Sequence, residues 1–268
     1  MFSTVLQTID IMAFGICNLS IVPLRAEAAH RSEMVSQLLF GECFEVLEET
    51  ADWAYIKTDL DSYEGWLQLG QFAYVSIEEY SSHYSSKRLL VGLSGAYAVS
   101  GFVRIQLVHG TYVYTGQDNT MKIGAVNYNI EGDVFEPDTN SFGTEIAAIS
   151  RAYEAVPYLW GGRSKAGIDC SGFSQLMYRH FNLQLPRDAY QQAEQGNTVD
   201  FLPEIKAGDL AYFDNAEGRI THVGIMLDSE RIIHASAKIR IDKMDSEGIF
   251  NKDWNKYTHR LRIVKRYI

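Results

Sequence analysis

Residues 158–173 read Tyr-Leu-Trp-Gly-Gly-Arg-Ser-Lys-Ala-Gly-Ile-Asp-Cys-Ser-Gly-Phe. Two aromatics and a glycine pair lead to Cys170, which stands between Asp169 and Ser171. From the cysteine onward, Phe173, Leu176, Met177 and Phe181 recur at helical spacing with polar residues between them. Cys170 is therefore expected at a helix N-terminus, where free backbone N–H groups and the helix dipole favour a thiolate. It is read as a nucleophile, and the rest of the chain as the shape around its substrate.

The text on either side of this stretch differs in kind. Upstream, Ala13 to about Val75 is β-like, with short apolar runs at Ile16–Val22, Cys43–Leu47, Trp53–Thr58 and Gly65–Leu69 separated by turn residues. Trp53-Ala-Tyr-Ile-Lys, an acidic turn, and Tyr63-Glu-Gly-Trp66-Leu spell a hairpin, and short strands at this spacing predict a small barrel. A polar segment, Ser76–Ser86, precedes a second β-rich block from Leu89 to about Val134, with a strand, turn and strand over 112–123. Residues 136–141 have the composition of a linker.

Beyond the linker the period becomes helical. Ile146, Ile149, Ala152, Tyr153 and Val156 form an apolar stripe that stops before Pro157. A short helix is expected over Asp188–Gln195, ending at Gly196. Strands follow at Asp209–Phe213, His222–Leu227, Arg231–Ser236, Ile239–Met244 and Leu261–Tyr267. Helices followed by a strand meander predict an α+β domain. The expected chain is multidomain: two small β-barrel domains over 1–75 and 76–138, then an α+β domain over 144–268.

Composition limits the partners. The 268 residues are 46% hydrophobic, enough for more than one core, and carry a formal net charge of −10. An acidic chain lacks the basic footprint that nucleic acid and anionic membranes require. No stretch has the length and apolarity of a membrane-spanning helix. Cys17, Cys43 and Cys170 form no CxxC pair and no zinc-like spacing, which predicts free thiols, a reducing compartment and no metal or cofactor. Met1–Leu24 is apolar but carries Asp10 and no basic residue before Arg25, so it is read as part of the first domain and not as a secretory signal.

A thiol nucleophile needs a base, and the base needs a group to orient it. His222 and His234 lie in consecutive expected strands joined by the short Asp228–Arg231 connection. In an antiparallel hairpin, directly opposed residues have numbers with a constant sum. An even sum, such as Gly224 facing His234, projects both histidines from one face, and an odd sum splits them. On the first alternative Cys170, His222 and His234 form a triad, with the Cys170 N–H and the Tyr158 hydroxyl at the oxyanion. The plainer alternatives are a buried structural cysteine, hydrogen-bonded strand histidines, or a metal shared by Cys170, His222 and His234, which has no fourth ligand at a sensible spacing. His30, His83, His109, His180 and His259 are read as surface or structural.

Several motifs, in order, carry a resemblance. Tyr158-x-Trp160-Gly-Gly, Asp169-Cys170-Ser171-Gly-Phe, Leu185-Pro-Arg187-Asp188, Gly208-Asp209-Leu-x-Tyr-Phe, His222-Val-Gly-Ile and Ile233-His234-Ala-Ser together resemble the NlpC-type papain-like murein peptidases. The β-rich front half resembles the bacterial SH3-like domains that precede this catalytic domain in γ-D-glutamyl-L-diamino acid endopeptidases. The resemblance implies Cys170 as nucleophile, His222 as base, His234 as third member and Tyr158 near the oxyanion. It implies that Trp160, Asp169, Ser171 and Arg187 line the substrate pocket, and that Asp188 pairs with the ammonium of an N-terminal L-alanine. Ala189 departs from the serine that the subfamily carries at that place. Glu33 and Tyr63 are the implied pocket residues of the first SH3-like domain. The implied partner is a murein peptide, L-Ala-γ-D-Glu-diamino acid, cleaved in recycling or turnover, with the cytoplasm favoured over a secreted location. The competing readings are a non-catalytic peptidoglycan-binding protein and an acyltransferase on the same fold.

Overall fold

The computed structural model describes residues 13–115 and 118–268. Residues 1–12, read above as the start of the first domain, lie outside the described residues, as does the 116–117 turn of the second block.

The first sheet comprises β1 (Ala13–Ile16), β2 (Ile21–Arg25), β3 (Met34–Leu39), β4 (Cys43–Glu49), β5 (Trp53–Thr58), β6 (Glu64–Gln68) and β7 (Ala73–Val75), in the order β3-β2-β6-β5-β4-β1-β7. The expected Trp53–Trp66 hairpin is present, with Tyr55 opposite Trp66. The apolar run at 16–22 is not one strand: the chain leaves β1 at Cys17, whose N–H donates to the Glu42 carbonyl, and re-enters the sheet at Ile21. The polar 76–86 segment is a helix, α1 (Ile77–Ser85), because the Ser76 hydroxyl caps it by accepting from the Glu79 N–H at 3.2 Å.

The second sheet is built on the long β8 (Lys87–Ser100), joined by β9 (Val103–Leu107), β10 (Tyr112–Thr115), β11 (Thr120–Ile123) and β12 (Val126–Phe135). The third region holds α2 (Phe142–Arg151), β13 (Arg163–Ser164), β14 (Gly167–Ile168), α3 (Cys170–His180), α4 (Ala189–Ala193), β15 (Asn197–Thr198), β16 (Leu210–Asp214), β17 (Ile220–Met226), β18 (Arg231–Ser236), β19 (Lys238–Met244), β20 (Gly248–Asn251) and β21 (Lys256–Arg266). Strand β20, absent from the sequence reading, pairs with β21 and closes β16–β21 into a ring.

Alternation along these strands serves two cores. Leu210, Tyr212, Val223, Ile225, Leu227 and Ile233 pack outward on the α3 residues Phe173, Leu176 and Met177. Ala211, Phe213, Met226, Ile232, Met244 and Val264 fill the inside of the ring. Each Val, Leu, Ile, Phe or Met side chain among them contributes about 1.5–3 kcal/mol on burial. The register that the sequence left open is Gly224 opposite His234, the even case. A β-carbon at Gly224 would lie 2.6 Å from Ile232 Cδ1 and 2.9 Å from His234 Cβ, so only glycine lets the two strands bring His234 this close.

Buried polar pairs fix the first sheet against α3. Glu42 accepts from Arg163 at 2.8 Å on both oxygens and from Arg179 at 2.9 Å, with all three side chains buried. Arg163 also holds the Gln37 carbonyl, and Gln175 of α3 donates to Asp61 at 2.8 Å. Gly161 has φ +75° and its missing β-carbon leaves the Met34 carbonyl room to approach.

Candidate active site

Asp169 is the N-cap of α3. Its Oδ1 accepts from the Gly172 N–H at 2.7 Å and its Oδ2 from the Gly161 N–H at 2.9 Å, which ties the glycine pair to the helix start. Arg187, 1% exposed, donates to both Asp169 oxygens at 3.1 and 2.6 Å, to Ser171 Oγ at 2.9 Å and to Ser36 Oγ at 3.0 Å. Asp169 and Arg187 both line the cavity described below, and their polar atoms also satisfy each other and the backbone. They hold the loop that presents Cys170, across a contact to the first sheet at Ser36.

Cys170 opens α3 and is buried. Burial pushes its thiol up to about 12, aided by the Asp169 charge, while the Val223 N–H, Arg187 and the Ser171 N–H pull the other way. The sequence expectation of a standing thiolate is thus overturned by desolvation, which outweighs the helix terminus. His222, the residue before Val223 in β17, is buried, and burial together with His234 and His259 lowers its pKa well below the usual histidine value. Burial therefore opposes the charged form of both the thiol and the imidazole.

Nε2 of His222 lies 2.9 Å from Nδ1 of His234, and Nε2 of His234 lies 3.0 Å from Oδ2 of Asp242. The hydrogen bond to His234 leaves Nδ1 of His222 as its remaining ring nitrogen. His259 was read as surface or structural, yet its ring stacks on His222 with centroids 4.1 Å apart and meets His234 edge-on. Nitrogens of the three rings lie within 4.8 Å of one another, and the hydrogen-bond chain already engages both nitrogens of His234. Neither His259 nor Asp242 belongs to a motif quoted above. The signal for Asp242 was its alternation with His234 across neighbouring strands, visible only once the register is known.

A cavity of about 540 Å³ opens beside the thiol. Cys170, Tyr158, Trp160, Asp169, Ser171, Arg187, Asp188, Glu33 and Tyr63 all line it, whereas His222 and His234 are not among its lining residues. Glu33 accepts from Trp160 Nε1 at 2.5 Å. Tyr63 donates to Asp188 Oδ1 at 3.4 Å, and its own N–H is held by Thr58 and Asp61. Burial pushes the Asp188 carboxyl up against the pull of Arg187 and Tyr63. The Tyr158 phenol is pushed up by burial and then by Cys170, so it stays a hydrogen-bond donor next to the sulfur. The sequence reading missed Val35, Tyr190, Asn215, Arg219, Ile220 and Thr221; Asn215 and Arg219 belong to the β16–β17 turn, and Ile220 and Thr221 open β17 just before His222. Arg219 sits over the Tyr190 ring at 5.6 Å.

The model of the NlpC/P60 family matches residues 155–262, and that of the bacterial dipeptidyl-peptidase SH3 domain matches residues 24–72. The probable endopeptidase NlpC of Escherichia coli K12 is 35% identical over 108 residues, covering 40% of this chain and 68% of that one. The chain belongs to the NlpC/P60 family. The family is one of cysteine peptidases of peptidoglycan, and in this chain the NlpC/P60 domain follows an SH3-like β-rich front. The γ-D-glutamyl-L-lysine dipeptidyl-peptidase of Bacillus subtilis strain 168 is 28% identical over 218 residues, 75% of this chain and 71% of that protein. The fold as a whole matches the crystal structure of an NlpC/P60 family protein from Bacillus cereus ATCC 10987, with TM-score 0.80 at 18% identity, over 95% of this chain and 99% of that one. Among the described residues no helix is long and apolar enough to cross a membrane.

Proposed function

We propose that this NlpC/P60 protein hydrolyses the bond between γ-D-glutamate and the diamino acid in murein stem peptides that begin with a free L-alanine. The observation that carries the reading is the convergence of Glu33, Tyr63 and Asp188 on the cavity that contains Cys170. A buried ammonium without a counter-charge costs several kcal/mol. Two carboxylates on one wall offset that cost for a free amine and offer nothing to an acylated one.

In this mechanism Cys170 attacks the γ-carbonyl as His222 takes its proton. The Cys170 N–H and the Tyr158 hydroxyl receive the oxyanion, the diamino acid leaves with the proton returned by His222, and water then releases the acyl group. A gate that demands a free amine selects peptides already trimmed from the glycan. We therefore propose a role in recycling such peptides, in the cytoplasm. The test is mass analysis of products from L-Ala-γ-D-Glu-diaminopimelate and its lysine analogue. Release of L-Ala-γ-D-Glu by the wild type and none by Cys170→Ala supports the reading. Cleavage at another bond, or by the Cys170→Ala protein, rejects it.

A further inference from the structure

The hydrogen-bond chain behind the thiol does not stop at His234. Asp242 of β19 accepts from His234 Nε2 at 3.0 Å and from Arg240 at both oxygens, at 2.7 Å from Nε and 2.9 Å from Nη2. Arg240 in turn reaches Asp253 at 2.9 Å. His234 faces Arg240 directly across β18–β19, so Asp242 is its diagonal neighbour on the same face. The His234 and Asp242 side chains are 1% and 3% exposed. Burial raises the Asp242 carboxyl, but His234 and Arg240 outweigh it and hold it below the usual carboxylate range, so it is ionised.

Donor and acceptor roles along this chain are then fixed. An ionised carboxylate only accepts, so the nitrogen of His234 that faces Asp242 must carry a hydrogen. A neutral imidazole carries one hydrogen, so Nδ1 of His234 is bare and accepts. Nε2 of His222 must therefore carry its hydrogen, which leaves Nδ1 of His222 bare and basic. We propose that Asp242, clamped by Arg240, is a positioning residue that sets the tautomer of both histidines and so presents Nδ1 of His222 to the Cys170 thiol. During attack one proton moves, from Sγ to Nδ1 of His222. The S–H bond breaks, the N–H bond forms, and the sulfur electron pair goes to the carbonyl carbon. The hydrogen on Nε2 stays in place, and the Asp242 charge lies at the far end of the chain from the imidazolium that results. This inference rests on the peptidase reading for its kinetic consequence, but the tautomers themselves belong to the resting protein.

The test is ¹⁵N-histidine NMR of the full chain, which reads each tautomer without any substrate, together with hydrolysis of the free tripeptide. The wild type is expected to show His222 and His234 both protonated at Nε2. In Asp242→Leu both rings are expected to lose that fixed state, with kcat down about 10²-fold and KM little changed. Asp242→Leu leaves Arg240 short of a partner, so an Asp242→Leu/Arg240→Leu double variant removes the pair together. Continued loss of the tautomer and of kcat in the folded double variant supports positioning. Recovery of both shows that the unpaired arginine was the cause and overturns the proposal. Arg240→Gln leaves the carboxylate in place and is expected to keep both tautomers with a loss of about 10-fold or less. A wild-type His222 protonated at Nδ1 overturns the proposal outright. Correct tautomers in a protein that cleaves a different bond would instead sink the substrate reading and leave this one standing.

Discussion

Cys170, His222 and His234 come from one helix and two adjacent strands of a single domain, whereas Glu33 and Tyr63 reach the cavity beside Cys170 from the residues just before β3 and β6 of the first sheet. The reactive side is held by regular structure: a capped helix start, a period of two along β17 and β18, and a register pinned at Gly224. The side of the cavity that carries Glu33 and Tyr63 is held by an interface whose polar anchors are Glu42 with Arg163 and Arg179, Asp61 with Gln175, and Ser36 with Arg187. On the proposed function, the contrast places reactivity in one domain and selectivity between two. Damage to the first should lower kcat, and damage to the second should raise KM and loosen choice.

The largest effect is expected from Cys170→Ala, which should remove turnover by about 10⁴-fold or more while leaving peptide binding measurable by calorimetry. Next comes Glu42→Ala. It strips the counter-charge from two buried arginines and should cost about 3–5 kcal/mol in denaturant unfolding, with selectivity for the free amine falling in whatever protein remains folded. If instead stability falls and selectivity is untouched, the wall does not depend on this interface. Asp188→Asn should lower kcat/KM for the free-amine peptide by about 10²-fold, mostly through KM.

Acid should act on the two regions in separate windows. Burial raises the Asp188 carboxyl, so its ammonium-pairing charge is lost as pH falls through a value above the usual carboxylate range, and KM should rise there. For Glu42 burial pushes up, but Arg163 and Arg179 outweigh it and the folded pKa lies below the usual 4.5. Its stabilisation is fully present above that usual value and is lost only as pH falls through the lower, folded one. A KM profile and a thermal-melt series against pH should therefore separate, with binding failing before the fold. The smallest effect is expected at Arg219, which lines the same cavity, sits over the Tyr190 ring and makes no ion pair among the described residues. Arg219→Gln should narrow the preference for a D-glutamate carboxylate over its carboxamide by about 10-fold, read as a ratio of kcat/KM values.

Much of the reactive side was legible in residue order. The Cys170 helix, the β17–β18 pair and the face shared by His222, Gly224 and His234 all follow from periodicity once the register is even. The thiol's protonation was not legible, because burial is a property of packing and it reversed the expectation drawn from the helix terminus. His259 and Asp242 escaped because they join the histidines only when β18–β19 register and ring closure through β20 and β21 bring them round. Arg187 was legible as a pocket-lining residue, but its guanidinium bonds to Asp169, Ser171 and Ser36 depend on packing that residue order does not encode. Glu33 and Tyr63 rested on resemblance alone, since no local pattern tells which surface acid will face a cavity in another domain.

The claim that selectivity is built between domains is tested most directly by one ratio: kcat/KM for the free tripeptide over that for its N-acetylated form. It should be measured in the wild type and in Glu33→Gln/Asp188→Asn. The account predicts a wild-type ratio of about 100 or more that collapses toward one in the double variant, with kcat on the acetylated peptide little changed. A wild-type ratio near one, or a large ratio that survives the double substitution, would contradict it.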